Sequence, residues 1–264
     1  MPSVSNIAVG AAMAGAAASK ARHAMNESIT RLSTGIRSMY GGDAAGQSLA
    51  NSLGSKGASF AVAARNAEDG ISFLQSAESV LLEMAALTTR LRELGVQYAN
   101  NGLLTLTDEA ALNAEATAIG DALLSVASNT TFNGVVMVGN NTAIEVGIND
   151  AGDTATIGTA TSIANANMGD ITGANGVDGS ADTALGSIAT SLGNVAAGMV
   201  SLKGYQAVAS NSAANLKAAA ARIQDTDFAL ETANLTKASV LNQSAMAMVA
   251  QANQAQNAIL AVIQ

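Results

Sequence analysis

The sequence offers few side chains that could carry out chemistry. His23 is the one histidine in 264 residues, and there is no cysteine. His23 stands beside Arg22 in an Ala-rich stretch, which favours a surface or interface role. A hydrolytic triad needs a histidine base, and a structural zinc site needs several histidines or cysteines. We therefore predict no catalytic residue, no metal and no cofactor, and a protein that is not an enzyme.

Two short stretches resemble ligand-binding loops but lack their essential residues. Asp150 and Asp153 have neither the alternating acids nor the closing glutamate of a calcium-binding loop. Residues 41–46 are glycine-rich, yet they contain no P-loop lysine and follow a predicted helix rather than a strand. We interpret the first stretch as part of a polar loop and the second as a turn between helices.

Charge is distributed unevenly along the chain. The net charge is −8 and the pI is about 4.5, which disfavours nucleic acid as a partner. Residues 1–65 contain six Lys or Arg and two acids, whereas residues 93–202 contain eleven acids and no Lys or Arg. This pattern is typical of a solvated acidic middle, with ends that meet each other.

Apolar or small residues recur at alternating steps of three and four in five stretches, a period that predicts coiled-coil helices. The series run from Ile7 to Leu32, from Leu74 to Tyr98, from Leu112 to Val126, from Leu185 to Ile223, and from Leu241 to Val262. The two terminal series are rich in alanine, so either helix would bury little apolar area alone. We expect the two ends to pair with each other and with neighbouring chains.

The region between the helical series has a different composition. Residues 135–138 and 144–148 are rich in Val and Ile and flank Gly139–Asn140–Asn141, which predicts a β-hairpin. Residues 150–180 are rich in Gly, Ala, Thr, Asn and Asp, which predicts an irregular loop. The fold class is therefore mainly α: a long coiled-coil-like helical bundle built from both termini, with a small β-hairpin and an irregular central loop.

No stretch is predicted to be a signal peptide or a membrane span. Residues 1–19 are uncharged but lack the positive n-region of a secretory signal. Residues 238–264 are uncharged as well, but they carry eight Asn or Gln, which bilayer hydrocarbon tolerates poorly. We expect neither a membrane nor a nucleic acid as partner.

Six ordered blocks of sequence resemble the signatures of the bacterial flagellin family, the subunits of the flagellar filament. The blocks are Leu-Ser-Thr-Gly-Ile-Arg at 32–37 with 43–46, then 66–72 with 74–78, 90–97, 131–134, 222–232 and 251–254. The resemblance covers about residues 5–147 and 185–264. The chain is similar to a short flagellin with a minimal central insertion.

The resemblance implies a core built from both termini. Residues 1–42 and 224–264 would form an inner-core domain. Residues 43–148, with the hairpin, and residues 184–223 would form an outer-core domain, and residues 149–183 would be a short variable insertion.

The implied function is a structural subunit that self-assembles into the extracellular filament for swimming motility. Such a chain would leave the cell by type III export, without a cleavable signal peptide. Its implied partners are further copies of itself, the export apparatus, an export chaperone and the filament cap. Two alternatives stay open: a hook–filament junction protein of the same superfamily, and a monomeric surface binding module.

Two groups of residues are candidate contact sites. The expected self-assembly interface consists of seam residues from both ends: Ile7, Ala14, Met25, Leu32, Leu241, Met248, Ile259 and Val262. The resemblance also singles out an exposed cluster for subunit contact or for recognition by a vertebrate Toll-like receptor: Arg90, Arg92, Glu93, Leu94 and Glu115.

We predict that deleting residues 1–30 or residues 240–264 leaves a soluble monomer that cannot polymerise, because either deletion removes one partner of the terminal helix pair. Negative-stain electron microscopy of the purified truncations is the test. Filaments formed by either truncated chain would contradict the prediction.

Overall fold

The structure, a computed structural model, describes residues 2–37, 43–138, 144–157 and 177–263. The helices are α1 (Pro2–Thr34), α2 (Ala44–Tyr98), α3 (Leu106–Asn129), α4 (Val177–Gln224) and α5 (Phe228–Ile263), with a short 3-10 turn at Asn101–Leu103. The strands are β1 (Thr131–Phe132), β2 (Val135–Val136), β3 (Ile144–Gly147) and β4 (Thr154–Ile157). The predicted mainly-α class is confirmed.

The chain divides into two compact units. Unit 1 comprises Met1–Gly54 and Leu216–Gln264, and unit 2 comprises Ser55–Asn215. Both ends of the chain therefore belong to the same unit.

Unit 1 is built on the pairing of α1 with α5, which confirms that the two ends meet. In α1 the buried positions are Ala14, Ala18, Ala21 and Ser28, and Ala11, Met25 and Leu32 are half-buried. These positions are the predicted series. Most of the buried side chains are alanine, which lets two helix backbones approach closely but buries little apolar surface.

In α5 the predicted seam is wrong at two positions, whereas Ala245 is buried and Ala252 and Ala255 are half-buried, as predicted. Leu241 and Met248 are exposed, whereas Asn242 and Val249, each one residue further along, are half-buried. Two series of residues, each with alternating steps of three and four, overlap in α5 and share Ala245. The more apolar series does not face α1. The face of α5 that contacts the alanine seam of α1 is the one that carries the small side chains of Ala238 and Ala245.

Unit 2 has a continuous core with large apolar side chains. The predicted series in α2, α3 and α4 supply most of it, and those predictions are confirmed. The fully buried members include Leu81, Met84 and Leu91 of α2, Leu123 of α3, and Ile188, Val195 and Leu202 of α4. Each such side chain stabilises the fold by about 1.5–3 kcal/mol relative to leaving it exposed.

The single predicted β-hairpin is wrong. Residues 135–136 pair with β1 rather than with residues 144–148. The connection is Asn133–Gly134, whose φ angles of 51° and 80° are both positive, as a two-residue type I′ hairpin turn requires. The turn predicted at residues 139–141 lies outside the described residues.

The second hairpin falls partly in the stretch that was expected to be irregular. β3 pairs antiparallel with β4, from Ile144 opposite Ile157 to Gly147 opposite Thr154. The alternation Thr-Ala-Thr-Ile places two β-branched residues on one face and turns Ile157 into the core. Residues 158–176, the remainder of that stretch up to α4, lie outside the described residues.

Among the described residues, one helix is long and apolar enough to cross a membrane. Residues Asp178–Gln224 of α4 reach a mean hydropathy of 1.3 over an 18-residue window. The same helix buries Ile188, Val195 and Leu202 in the core of unit 2, and a core helix can be as long and apolar as a membrane helix. Only 28% of the apolar window is buried, so burial accounts for part of the apolar character of α4.

Gly70 on α2 lies where helix and hairpin approach most closely. A Cβ atom placed there would lie 2.9 Å from Cδ1 of Leu202 and 3.1 Å from Cγ2 of Val146 on β3. Both neighbours are buried, so neither can move away freely. The missing side chain lets β3 pack directly on α2.

We predict opposite effects for two Gly→Ala substitutions in unit 2. Gly70→Ala should destabilise the protein by about 1 kcal/mol, because overpacking by about 1–3 kcal/mol exceeds the gain in helix propensity. Gly186→Ala on α4, where an added Cβ meets nothing within 4 Å, should stabilise by about 0.5–1 kcal/mol. Urea unfolding of both variants measures the change in the free energy of unfolding. Equal changes in the two variants would contradict the explanation that β3 packs too closely on α2 for a side chain at position 70.

Candidate assembly surface and helix junction

A groove runs along the α1–α5 pair in unit 1. Its volume is about 570 Å³. It is lined by alanines of both helices, by Leu241 and Met248, and by charged residues such as Lys237. An exposed apolar surface bordered by polar residues is a surface type that marks protein–protein contact sites.

The predicted interface residues separate into two groups. Ala14 is buried inside the α1–α5 pair, and Met25 and Leu32 are half-buried there. Leu241 is 52% exposed and Met248 is 63% exposed. The second group is therefore free to contact another molecule, while the first holds the pair together. The side chains of Ile7, Ile259 and Val262 lie outside the described residues.

Sequence reasoning missed several exposed apolar side chains of unit 1. They lie outside the three-four series, which selects for contact between helices of one chain. On α1 and α5 they include Val9, Met13, Phe228, Leu230, Val240 and Met246. A signal for them was available in the sequence: α1 and α5 contain more apolar residues than a single seam between two helices can bury.

An ion pair interrupts the alanine seam. Arg31 Nη1 lies 3.7 Å from Glu231 Oε1, and the Glu231 side chain is almost fully buried. A buried carboxylate is destabilising without its cation. This pair therefore favours the alignment of α1 with α5 in which the two side chains meet.

The end of α1 is tied to the connection between α4 and α5. Gly35 ends α1 in a left-handed conformation, with φ of 72°. The backbone N–H of Arg37 donates to the carbonyl of Gln224 at 2.8 Å, and that of Thr226 donates to the carbonyl of Gly35 at 2.9 Å. These two bonds form a short antiparallel bridge between segments that are far apart in the sequence. Arg37 and Ile223, for example, are separated by 186 positions.

Arg37 continues this junction with its side chain. Its guanidinium donates through Nε and Nη2 to the carbonyl of Ile223, at 3.3 and 3.1 Å, in the last turn of α4. Nη2 also lies 2.9 Å from Oδ2 of Asp43. A cation here satisfies a carbonyl at the negative end of the α4 dipole, and the same cation holds the carboxylate that begins α2.

Asp43 caps α2 through its other oxygen. Oδ1 accepts a hydrogen bond of 2.8 Å from the backbone N–H of Gly46, which satisfies a free donor of the first helical turn. This bond, helped by the Arg37 guanidinium, lowers the pKa of Asp43 below its usual 3.8. A Cβ at position 46 would overlap the Asp43 carboxylate. The block at residues 43–46 is thus a capping motif in which glycine makes room for the cap.

The Arg90 cluster lies on the surface of unit 2. Arg90 Nη2 is 2.7 Å from Oε1 of Glu115, and Nη1 is 3.2 Å from Oε2 of Glu93. Arg92 Nε is 2.6 Å from Oδ1 of Asp182 on α4. These side chains are about half exposed, whereas Leu94 is 1% exposed and belongs to the core. The predicted cluster is therefore divided into two ion-pair groups, Arg90 with Glu93 and Glu115, and Arg92 with Asp182. Leu94 is buried in the core rather than exposed with them.

The residues that could have done chemistry are dispersed. Among the described residues, no group of three or more His, Asp or Glu side chains is placed to hold a metal ion. His23 is exposed on α1.

We predict that Asp43→Asn weakens the junction in a pH-dependent manner. The pKa of Asp43 is lower in the folded state, so its contribution is complete above the unfolded-state value near 3.8 and is lost as the pH falls through the folded value. The variant should melt below the parent protein at about pH 7 and match it at about pH 2. Thermal unfolding followed by circular dichroism is the measurement.

The matched control is Asp121→Asn on α3, an exposed carboxylate. It should leave the melting temperature unchanged at both pH values. A constant difference between Asp43→Asn and the parent across the acid range would contradict the assigned role of the charge.

Comparison with known proteins agrees with the geometry of the terminal helices. The sequence matches two protein-family models. The bacterial flagellin N-terminal helical region matches residues 5–143, and the bacterial flagellin C-terminal helical region matches residues 176–263. The flagellar filament 33 kDa core protein of Treponema phagedenis is 33% identical, over 90% of this chain and 92% of that protein. A flagellin of Bacillus subtilis (strain 168) is 30% identical, over 91% and 93%.

A crystal structure of Bacillus cereus flagellin matches at 22% identity and a TM-score of 0.39, covering 58% of this chain and 88% of that chain. The sequence matches span nearly the whole chain and both helical ends. The chain belongs to the bacterial flagellin family.

Proposed function

We propose that this protein is a structural subunit of a bacterial flagellar filament and that copies assemble by covering the apolar surface of the α1–α5 pair. The observation that carries the proposal is the exposure of Leu241 and Met248 on a helix pair whose own seam is mostly alanine. A pair of this kind buries little apolar area within one chain. Contact with neighbouring copies supplies the burial that it lacks.

Filament growth requires an interface of a particular symmetry. Two different surfaces of the same chain must meet, so that each added copy leaves a free surface for the next one. The α1–α5 groove presents apolar residues in a concave surface, while Val9, Met13 and Met246 are exposed apolar residues of the same pair. Unit 1 therefore carries both concave and projecting apolar features. Each fully buried Leu or Met would stabilise the contact by about 1.5–3 kcal/mol before the losses of association.

We assign the predicted domains to the filament as follows. Residues 1–42 and 224–264 form the inner core, residues 43–148 and 184–223 form the outer core, and residues 149–183 form a short insertion. The supporting observation is that both chain ends lie in unit 1. The large buried side chains of α2, α3 and α4 give unit 2 a core of its own.

The site and route of assembly follow from this assignment. The filament is extracellular, and we infer that the chain reaches it by type III export without a cleavable signal peptide, assisted by an export chaperone and a filament cap. The absence of cysteine from the sequence suits passage as an unfolded chain, since no disulfide can cross-link it. Swimming motility is the process that the filament serves.

The Arg90 cluster is assigned to contacts between subunits. Arg90, Arg92, Glu93 and Glu115 are paired and exposed on unit 2, so they can exchange partners across an interface without leaving a buried charge. Recognition of the same four side chains by a vertebrate Toll-like receptor is the second proposal for this surface. Leu94 is buried in the core of unit 2 and would act in either case by stabilising α2.

We predict that Leu241→Asp prevents filament formation without unfolding the subunit. Leu241 is exposed in the single chain, so circular dichroism of the monomer should be unchanged. Burying an unpaired carboxylate between copies is costly, and the critical concentration for polymerisation should rise by about tenfold or more. Sedimentation of the polymerised sample measures the critical concentration, and electron microscopy shows whether filaments have formed.

Ala238→Asp on the same helix is the matched comparison. Ala238 is 4% exposed inside the α1–α5 pair, so this variant should lose helix already as a monomer. Normal filaments from Leu241→Asp would contradict the proposed interface. Short rings from the parent protein would favour the junction protein, and a parent that stays monomeric at high concentration would favour the surface binding module.

A further inference from the structure

The methionines of this chain are distributed unequally between exposed and buried positions. Three of the methionines that the structure describes have strongly exposed side chains: Met13 (70%), Met246 (54%) and Met248 (63%). All three lie on α1 or α5 in unit 1. In the described part of unit 2, Met84 and Met137 are buried. Exposed thioethers are therefore concentrated, among the described residues, on the helix pair that the proposed function uses for assembly.

Methionine is also the side chain of this protein that mild oxidants react with first. The sequence contains ten methionines and no cysteine, so no thiol competes for peroxide. A thioether sulfur attacks one oxygen of hydrogen peroxide: the S–O bond forms as the O–O bond breaks. The departing hydroxide takes the proton from the transferred oxygen and leaves as water. Sulfur is oxidised by two electrons, and methionine becomes methionine sulfoxide.

Oxidation changes the character of the exposed surface. Met248 lines the α1–α5 groove together with Leu241 and five alanines, so oxidation places a polar sulfoxide among the apolar side chains of this surface. Methionine sulfoxide is polar, so burying it without a hydrogen-bond partner opposes association. A chain oxidised at these positions keeps its fold, because none of the three side chains is buried in the seam or the core.

We propose that Met13, Met246 and Met248 form an oxidation site through which peroxide blocks assembly of the free subunit, and that reduction of the sulfoxides restores it. The selective oxidation follows from exposure alone, whereas its effect on assembly rests on the proposed function. Copies that are already assembled would be protected, since their thioethers are covered. The site therefore acts on subunits before they are incorporated.

The first experiment locates the oxidation. Monomer is treated with limiting hydrogen peroxide, digested and analysed by mass spectrometry for the gain of one oxygen atom. We expect Met13, Met246 and Met248 to be oxidised at least about tenfold faster than Met84 and Met137, because susceptibility follows exposure. Similar rates at all five positions would overturn the proposed site, whether or not the protein forms filaments.

The second experiment measures assembly. Oxidised and untreated monomers are added to short filament seeds, and elongation is followed by light scattering and electron microscopy. Oxidised subunits should elongate at least about tenfold more slowly, because an unpaired buried polar group disfavours the contact. Treatment with the two methionine sulfoxide reductases, one for each epimer, should restore the rate.

A substituted chain provides the control. The triple variant Met13→Leu, Met246→Leu and Met248→Leu lacks the three exposed thioethers, so peroxide should leave its own elongation rate unchanged, whatever that rate is without peroxide. Met84→Leu, at a buried position, should stay as sensitive as the parent. Equal elongation by oxidised and untreated parent chains overturns the effect on assembly. If untreated chains never elongate, the proposed function fails, and the mass spectrometry alone decides the oxidation site.

Discussion

The rest of unit 1 depends on one contact, the packing of an alanine seam on α1 against an alanine seam on α5. Small side chains at Ala14, Ala18 and Ala21 on one helix, and at Ala238 and Ala245 on the other, let the two helices pack closely. The same side chains remove little apolar surface from water, so the pair gains little hydrophobic stability from its own seam. The larger apolar residues of both helices are consequently left on the outside.

A second constraint anchors this weak pair at one end. The bridge between residues 35–37 and 224–226 joins the end of α1 to the α4–α5 connection. Arg37 then contacts both the last turn of α4 and the cap of α2. Residues 32–37 with 43–46 and residues 222–226, which are far apart in the sequence, are thus parts of one structural feature. Backbone bonds and one guanidinium hold the helix ends where the seam alone would hold them poorly.

The sequence predicts the helices well because their signal is local and repeated. In α2, α3 and α4 the large apolar residues form a single series, so both the helix and its buried face could be identified. In α5 two series overlap at Ala245, and the choice between Leu241 and Asn242 depends on the partner helix. The strand pairing depended on recognising Asn133–Gly134 as a hairpin turn. The contact of Arg37 with Ile223 spans 186 positions and carries no local pattern.

The two units differ in what completes them. Unit 2 buries leucine, isoleucine, valine and methionine in a continuous core, so its folding needs no second molecule. Unit 1 pairs its helices through alanine and an ion pair between Arg31 and Glu231, and it exposes the side chains that could have formed a larger core. A chain built in this way can remain a monomer with one well-packed unit. The apolar surface that unit 1 leaves exposed is then available for contact between copies, as the proposed function requires.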